Sequence, residues 1–163
     1  MMISDKSILN QQEKMKLKQQ LKEVCVKLLL QRIETASEAM LGAQESANSS
    51  EKSSMGDKYE TSRAMGQIES DMNAKQLEEA KRELATLQVV DISKVYDGAA
   101  VGSVVVCREQ AFFIAVGLGP VTVDDKKIVV LSPKAPLAAK MNGKKTGSSF
   151  ILNATVFEVT DVF

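Results

Sequence analysis

The side chains best suited to chemistry are carboxylates clustered between residues 34 and 60. Six carboxylates lie there against two lysines, which gives this segment a local net charge of −4. Carboxylate oxygens bind Mg²⁺, and they also attract basic surfaces. The candidates for partner contact nearest a predicted helix break are Glu51, Asp57, Tyr59 and Glu60. They indicate either a site that meets a cation or a basic partner, or the solvated faces of two helices.

The absence of histidine removes most other chemistry. Ser-His-Asp and Cys-His nucleophiles and His-ligated metal sites are excluded. The two cysteines, Cys25 and Cys107, lie far apart in sequence with no plausible base beside them, so we expect free thiols. We therefore expect no catalytic residues, no enzyme activity and no cofactor of the chain's own.

The charge balance bears on the partners. Lysine and arginine total 21 and aspartate and glutamate total 21, so the formal net charge is zero. Non-specific binding of nucleic acid needs an excess of cations, and we expect no direct sequence-specific binding either. The chain has no apolar run of about 18 residues and no signal-type start, which predicts a cytoplasmic protein with no membrane partner.

The amino-acid composition changes near residues 89–97. The change predicts which secondary-structure elements carry the carboxylates. Glutamine, lysine and leucine dominate the first part and favour helix, whereas valine and all three prolines concentrate in the second and favour short strands and turns. We predict an α+β protein. An antiparallel two-helix coiled coil spans residues 1–90 with its tip at about 48–57, and a small antiparallel β domain with one short helix spans 91–163.

Each predicted helix carries one narrow apolar stripe. The helices cover about residues 6–47 and 58–87, and pairing them back to back makes a finger with an acidic tip. The first stripe begins Leu17, Leu21, Val24 and Leu28. The second runs Met65, Ile68, Met72, Leu77, Ala80, Leu84 and Leu87. The five-residue step after Met72 predicts a local change of winding.

The second part of the chain predicts six short strands. They cover residues 101–107, 110–116, 120–123, 127–131, 149–152 and 155–162. Asp124 and Asp125 mark a hairpin turn, and residues 135–141 form a short helical turn that Gly143 can close. Four phenylalanines are predicted core residues: Phe112, Phe113, Phe150 and Phe157.

This order of elements resembles the GreA/GreB family of bacterial transcript cleavage factors, of which the chain looks like a divergent member. The resemblance is most specific over residues 129–147, where a strand, Ser132-Pro133, a helix with small and leucine residues, Gly-Lys and a further glycine follow one another. It implies an FKBP-like fold for the C-terminal domain. It also implies that Ser132 and Pro133 dock this domain on the rim of the secondary channel of RNA polymerase.

The tip departs from the family pattern, which is Gly-Asp-Leu-x-Glu-Asn-Ala-Glu-Tyr. The family's Asp and first Glu help to hold the second catalytic Mg²⁺ of the polymerase. Matching on Tyr59 places Lys52 and Met55 at those two positions. Asp57 is then the candidate Mg²⁺ ligand, and only in the complex with polymerase, whose active-site Mg²⁺ it would share. The resemblance implies an elongation regulator whose coiled-coil tip enters the secondary channel, and the departure at the tip predicts that it modulates elongation and does not perform strong transcript cleavage.

Two alternatives stay open. The missing acidic pair favours a Gre-shaped interaction module whose partner is not polymerase. An FKBP-like fold also suggests prolyl isomerase activity, but that needs an aromatic-lined pocket, and the five phenylalanines and two tyrosines of the chain are mostly required for the core. We expect a monomer or a weak homodimer.

Overall fold

The computed structural model describes residues 9–52 and 57–163, and the side chains of residue 44 and of residues 46–59 lie outside that description. Two long helices precede six strands and a short helix, which confirms the α+β class. The elements are α1 (Gln11–Lys52), α2 (Asp57–Gln88), β1 (Val104–Cys107), β2 (Ala111–Ile114), β3 (Gly119–Val123), β4 (Lys126–Leu131), α3 (Pro136–Met141), β5 (Ser149–Leu152) and β6 (Thr155–Val162).

A reciprocal cap fixes the start of α1. The Glu13 backbone N–H donates to Asn10 Oδ1 at 2.8 Å, and the Asn10 N–H donates back to Glu13 Oε1 at 3.3 Å. These bonds satisfy two donors that the first helical turn leaves unpaired. At its other end α1 runs to Lys52, five residues beyond the predicted end, because a helix already formed adds residues cooperatively despite their weak individual preference.

The strands form one mixed sheet in the order β3-β4-β2-β1-β6-β5. Four of its pairings are antiparallel, as predicted, but β2 and β4 pair in parallel. The chain leaves β2 and places β3 one strand position away from it. The next strand, β4, then runs antiparallel to β3 in the position between them and so lies parallel to β2. Two-residue turns join β3 to β4 and β5 to β6, with positive φ at Asp124, Asp125, Asn153 and Ala154. The predicted turn at Asp124 and Asp125 is confirmed.

The core lies on both faces of the two central strands. All four residues of β1 and all four of β2 are buried. On the face that α3 covers, Phe157 stacks on Phe150 with ring centroids 5.1 Å apart and meets Phe112 edge-on at 6.2 Å. Phe112, Phe113 and Phe150 are buried and Phe157 is half-buried, so these residues are in the core as predicted.

The chain forms two compact units that cut across the predicted division at residue 90. The described residues up to Val26 group with Thr86–Phe163, and Lys27–Ala85 forms the second unit. The first turns of α1 therefore belong with the sheet. Within the part of the chain that the structure describes, no helix is both long and apolar enough to cross a membrane.

The buried face of α1 is shifted from the predicted stripe. Leu17 and Leu21 are buried, but the next buried residues are Cys25 and Leu29, and Val24 and Leu28 are only half-buried. Steps of four residues advance by more than one full turn, so a row of them drifts around the helix. Farther along α1 the buried residues are small, namely Ala36 and Ala43.

On α2 the predicted stripe is wrong in its first half. Met65, Ile68 and Met72 are exposed, and the buried positions there are Gly66 and Ser70. The covered face continues through positions that alternate in steps of three and four: Asn73, Leu77, Ala80, Leu84 and Leu87. The spacing is that of an uninterrupted heptad, so the predicted change of winding after Met72 is absent from this described part of α2. Small residues allow close approach of helix backbones, which leaves no room there for methionine.

Candidate functional site

The loop predicted to dock on a partner joins β4 to α3. Ser132 Oγ accepts a hydrogen bond from the Lys134 backbone N–H at 3.2 Å, and its carbonyl accepts one from the Ala135 N–H at 3.0 Å. Pro136 opens α3, where the lack of an N–H costs nothing. Ser132 is half-buried and Pro133 is exposed. The loop is thus shaped by its own hydrogen bonds and offers the proline ring to solvent.

The residues around this loop in the sequence carry positive charge. Six lysines and no carboxylates occur between Lys126 and Phe157. Lys134, next to Pro133, is exposed, and so is Lys140 in the last turn of α3. A partner surface that meets Pro133 and Lys134 together would be acidic at its edge.

The predicted tip residues fall largely outside what the structure describes. Glu51 has helical backbone near the end of α1 and Asp57 begins α2, but the side chains of Glu51, Asp57 and Tyr59 lie outside the described residues. Glu60 is exposed on α2. No group of three or more potential metal-ligating residues occurs among the described side chains. The Mg²⁺ role of Asp57 stays a prediction, and one carboxylate without a second is a weak ligand set.

Lys18, which the sequence analysis did not single out, is a buried lysine with a lowered pKa. Lys18 is only 2% exposed, and its Nζ donates to the Lys94 carbonyl at 2.9 Å and lies 4.8 Å from the centroid of the Tyr96 ring. Burial lowers the pKa of Lys18 to about 8, against the attraction of Asp91, which acts in the opposite direction. Hydrogen bonds from Ser93 lower the pKa of Asp91 and keep it charged.

Two more lysines of α1, Lys14 and Lys22, also contact groups outside the helix. Lys14 Nζ lies 3.1 Å from Asp161 Oδ2 and 5.2 Å from the centroid of the Phe163 ring. Lys22 Nζ donates to the carbonyls of Gln88 and Val90, at 3.2 and 2.9 Å. With Lys18 they form the lysine row: three ammonium groups, four residues apart, that hold α1 to residues 88–94, which follow α2, and to the end of β6. In the sequence, their four-residue spacing next to the apolar residues Leu17 and Leu21 is the pattern that could have indicated that they face the rest of the protein.

The contacts of the lysine row hold α1 in place. Lys18 has the lowered pKa that a nucleophilic amine needs, but its burial keeps it away from any substrate. The free cysteines Cys25 and Cys107 are buried as well, and burial raises the pKa of each thiol to about 11. At neutral pH both are protonated and therefore poor nucleophiles.

Comparison with known proteins adds little. No family model matches the chain, and no curated protein matches it. Among solved structures, the chain is similar to one described as the structure of the transcription factor Gfh1. The two are 15% identical in sequence, the match covers 84% of this chain and 92% of that chain, and the TM-score is 0.36. The functional case accordingly rests on the residues of this chain.

Proposed function

We propose that this chain is a Gre-like regulator of transcription elongation that binds RNA polymerase through Ser132 and Pro133. The observation that carries the proposal is the β4–loop–α3 unit. The segment that resembles the family signature folds as a strand, a turn held by Ser132, an exposed Pro133 and a short helix. In this proposal the segment between α1 and α2 enters the secondary channel.

We also propose that the chain modulates the polymerase and does not strongly stimulate transcript cleavage. Stimulated cleavage needs a divalent cation held by several oxygen ligands and a positioned water. Lys52 and Met55 stand where the family has its acidic pair, and Asp57 is the candidate carboxylate, with Glu51 and Glu60 on either side of it in sequence. A lysine at that position repels the metal. In this proposal the chain therefore acts on the polymerase mainly by occupying the channel, and not by supplying ligands for Mg²⁺.

Binding to purified core polymerase tests the docking loop. The wild-type chain should bind, and the double variant Ser132→Asp/Pro133→Ala should bind at least about tenfold more weakly, because it adds a charge and removes the exposed ring. The matched control is Ser149→Asp/Pro120→Ala, which makes the same changes at two exposed positions on the outer strands β5 and β3. Failure of the wild-type chain to bind would refute the proposal.

A cleavage assay on backtracked complexes tests the tip. We expect weak stimulation or inhibition by the wild-type chain, and loss of any stimulation in Asp57→Ala, because the substitution removes the candidate Mg²⁺ ligand. Glu79→Ala, which removes an exposed carboxylate of α2 that has no assigned partner contact, is the control. Stimulation that persists unchanged in Asp57→Ala would show that the assigned carboxylate role is wrong.

A second candidate function is that of an interaction module for a protein other than polymerase. The absence of the acidic pair from the tip favours it. Co-purification from cells separates the two, since polymerase subunits would be missing and another complex would be present. Neither candidate gives the chain an enzymatic activity of its own.

A further inference from the structure

Three large apolar side chains form an exposed row on α2. Met65, Ile68 and Met72 are 64%, 56% and 58% exposed. Steps of three and four residues bring them to one side of the helix, and we refer to them as the α2 stripe. The buried positions Gly66 and Ser70 lie on a different side, so the α2 stripe takes no part in the packing of the described chain. Single exposed apolar residues are ordinary, but a row of three indicates an interaction surface.

Carboxylates outnumber cations beside the α2 stripe, where Lys75, one turn after Met72, is also exposed. At about 100° per residue, Glu69 lies on one side of the stripe, and Asp71 and Glu60 lie on the other. All three are exposed, and the Gln67 side-chain amide donates to Asp71 Oδ1 at 3.1 Å. The unit Lys27–Ala85 that carries them has 11 carboxylates and 8 lysines and arginines, a net charge of −3. A complementary surface would carry lysine or arginine on both sides of an apolar strip.

A second copy of this chain does not fit. Antiparallel pairing of two α2 stripes about Ile68 would place Glu69 of one copy beside Glu69 of the other, and like charges at such positions repel. Three side chains also offer only a few hundred Å² for burial, below the roughly 1,200 Å² that a stable interface needs. The α2 stripe is therefore large enough for an auxiliary contact with a partner that is also held elsewhere.

We infer that the α2 stripe is a second contact with RNA polymerase, on a surface of the enzyme that is apolar and flanked by basic side chains. The inference rests on the proposed function, which supplies the first contact through Ser132 and Pro133. Apolar burial by Met65, Ile68 and Met72 would contribute affinity, and the flanking carboxylates would select the basic surface. Methionine suits such a contact because its flexible side chain adapts to the surface it meets.

Titration of purified core polymerase with full-length variants tests this inference. Ile68→Glu/Met72→Glu should weaken binding at least about tenfold. Met65→Gln/Ile68→Gln/Met72→Gln removes the apolar surface without adding charge and should give a similar loss. Glu69→Lys/Asp71→Lys should weaken binding several-fold, with the larger effect at low salt. The control Leu30→Glu changes an apolar residue that is 51% exposed on α1 and should bind like the wild-type chain. Far-UV circular dichroism confirms that each variant retains its helix content.

The outcomes separate the inference from the proposed function. If the wild-type chain binds and the stripe variants bind equally well, the inference is overturned while the proposed function stands. If Leu30→Glu weakens binding as much as the stripe variants, the loss is general and the inference is likewise overturned. If charge reversal at Glu69 and Asp71 tightens binding, the partner surface is not basic. If the wild-type chain fails to bind at all, the proposed function fails and the second contact fails with it.

Discussion

Replacing Lys18 with methionine should change how the stability of the fold depends on pH. The side chain is 2% exposed, and burial lowers its pKa from 10.5 to about 8. Between these two pH values the unfolded chain keeps a proton on this lysine that the folded chain has released. The free energy of unfolding must therefore rise with pH across that window, since stability increases wherever the unfolded state binds more protons.

The magnitude follows from the ratio of protonation states. At pH 9 a folded lysine with a pKa of about 8 is about ten times more often neutral than charged, whereas the unfolded lysine is still charged. A tenfold ratio corresponds to roughly 1 kcal/mol of added stability between pH 7 and pH 9. The thiols of Cys25 and Cys107 act in the opposite direction, because burial raises the pKa of each to about 11 and their contribution is lost above pH 9. Comparing two variants that both keep the thiols cancels that effect.

Urea denaturation at pH 7, 8 and 9 provides the measurement. The free energy of unfolding of Lys18→Met, relative to the wild-type chain, should fall by roughly 1 kcal/mol from pH 7 to pH 9, because only the wild-type chain gains stability from the neutral amine. Lys16→Met, at an exposed position on the same helix, should track the wild-type chain at every pH. A constant difference between Lys18→Met and the wild-type chain would show that Lys18 is not desolvated and would refute this account of the lysine row.

Two further predictions concern backbone positions. Ala154 has a φ of 64° in the turn between β5 and β6, so Ala154→Gly should stabilise the fold by about 0.5–1 kcal/mol in thermal or urea unfolding; a destabilised variant would contradict the strain argued for this turn. Gly102 has a φ of 96°, and a Cβ there would lie 2.7 Å from the Tyr96 hydroxyl oxygen. Gly102→Ala should therefore cost about 1–3 kcal/mol, and Gly119→Ala, with a φ of 76° and nothing within 4 Å of its Cβ, separates backbone strain from this clash. Equal stability of Gly102→Ala and the wild-type chain would contradict both the backbone strain and the clash with Tyr96.

Elements governed by local chemistry were predictable from the sequence. The Asp124-Asp125 turn needs two residues that tolerate positive φ, and the strands β5 and β6 follow from alternation between apolar and polar residues. The Ser132-Pro133 loop was placed correctly between a strand and a short helix, because a proline near a helix start is a local signal. What could not be read from strand patterns was which strands pair, and the parallel pairing of β2 with β4 is a property of the path between them.

The errors about which side chains are buried share one physical origin, which is that burial was inferred from residue type. Met65 and Ile68 were predicted to be covered because they are apolar, but the covered positions are Gly66 and Ser70, whose small size permits close packing. Lysine is ordinarily exposed, but Lys18 is buried, and its ammonium group donates a hydrogen bond to the Lys94 carbonyl oxygen. Periodicity locates a face of a helix, and only tertiary contacts decide which face is covered.

The position of β4 has a consequence for recognition by the loop that follows it. Because β4 is bonded to β3 as far as Val130 and to β2 as far as Leu131, the strand that leads into the loop is held by both of its neighbours. The Pro133 ring is therefore held in place before a partner binds. Binding then costs little conformational entropy in this loop. Association should accordingly be governed by how fast the surfaces meet and not by a slow rearrangement of the loop.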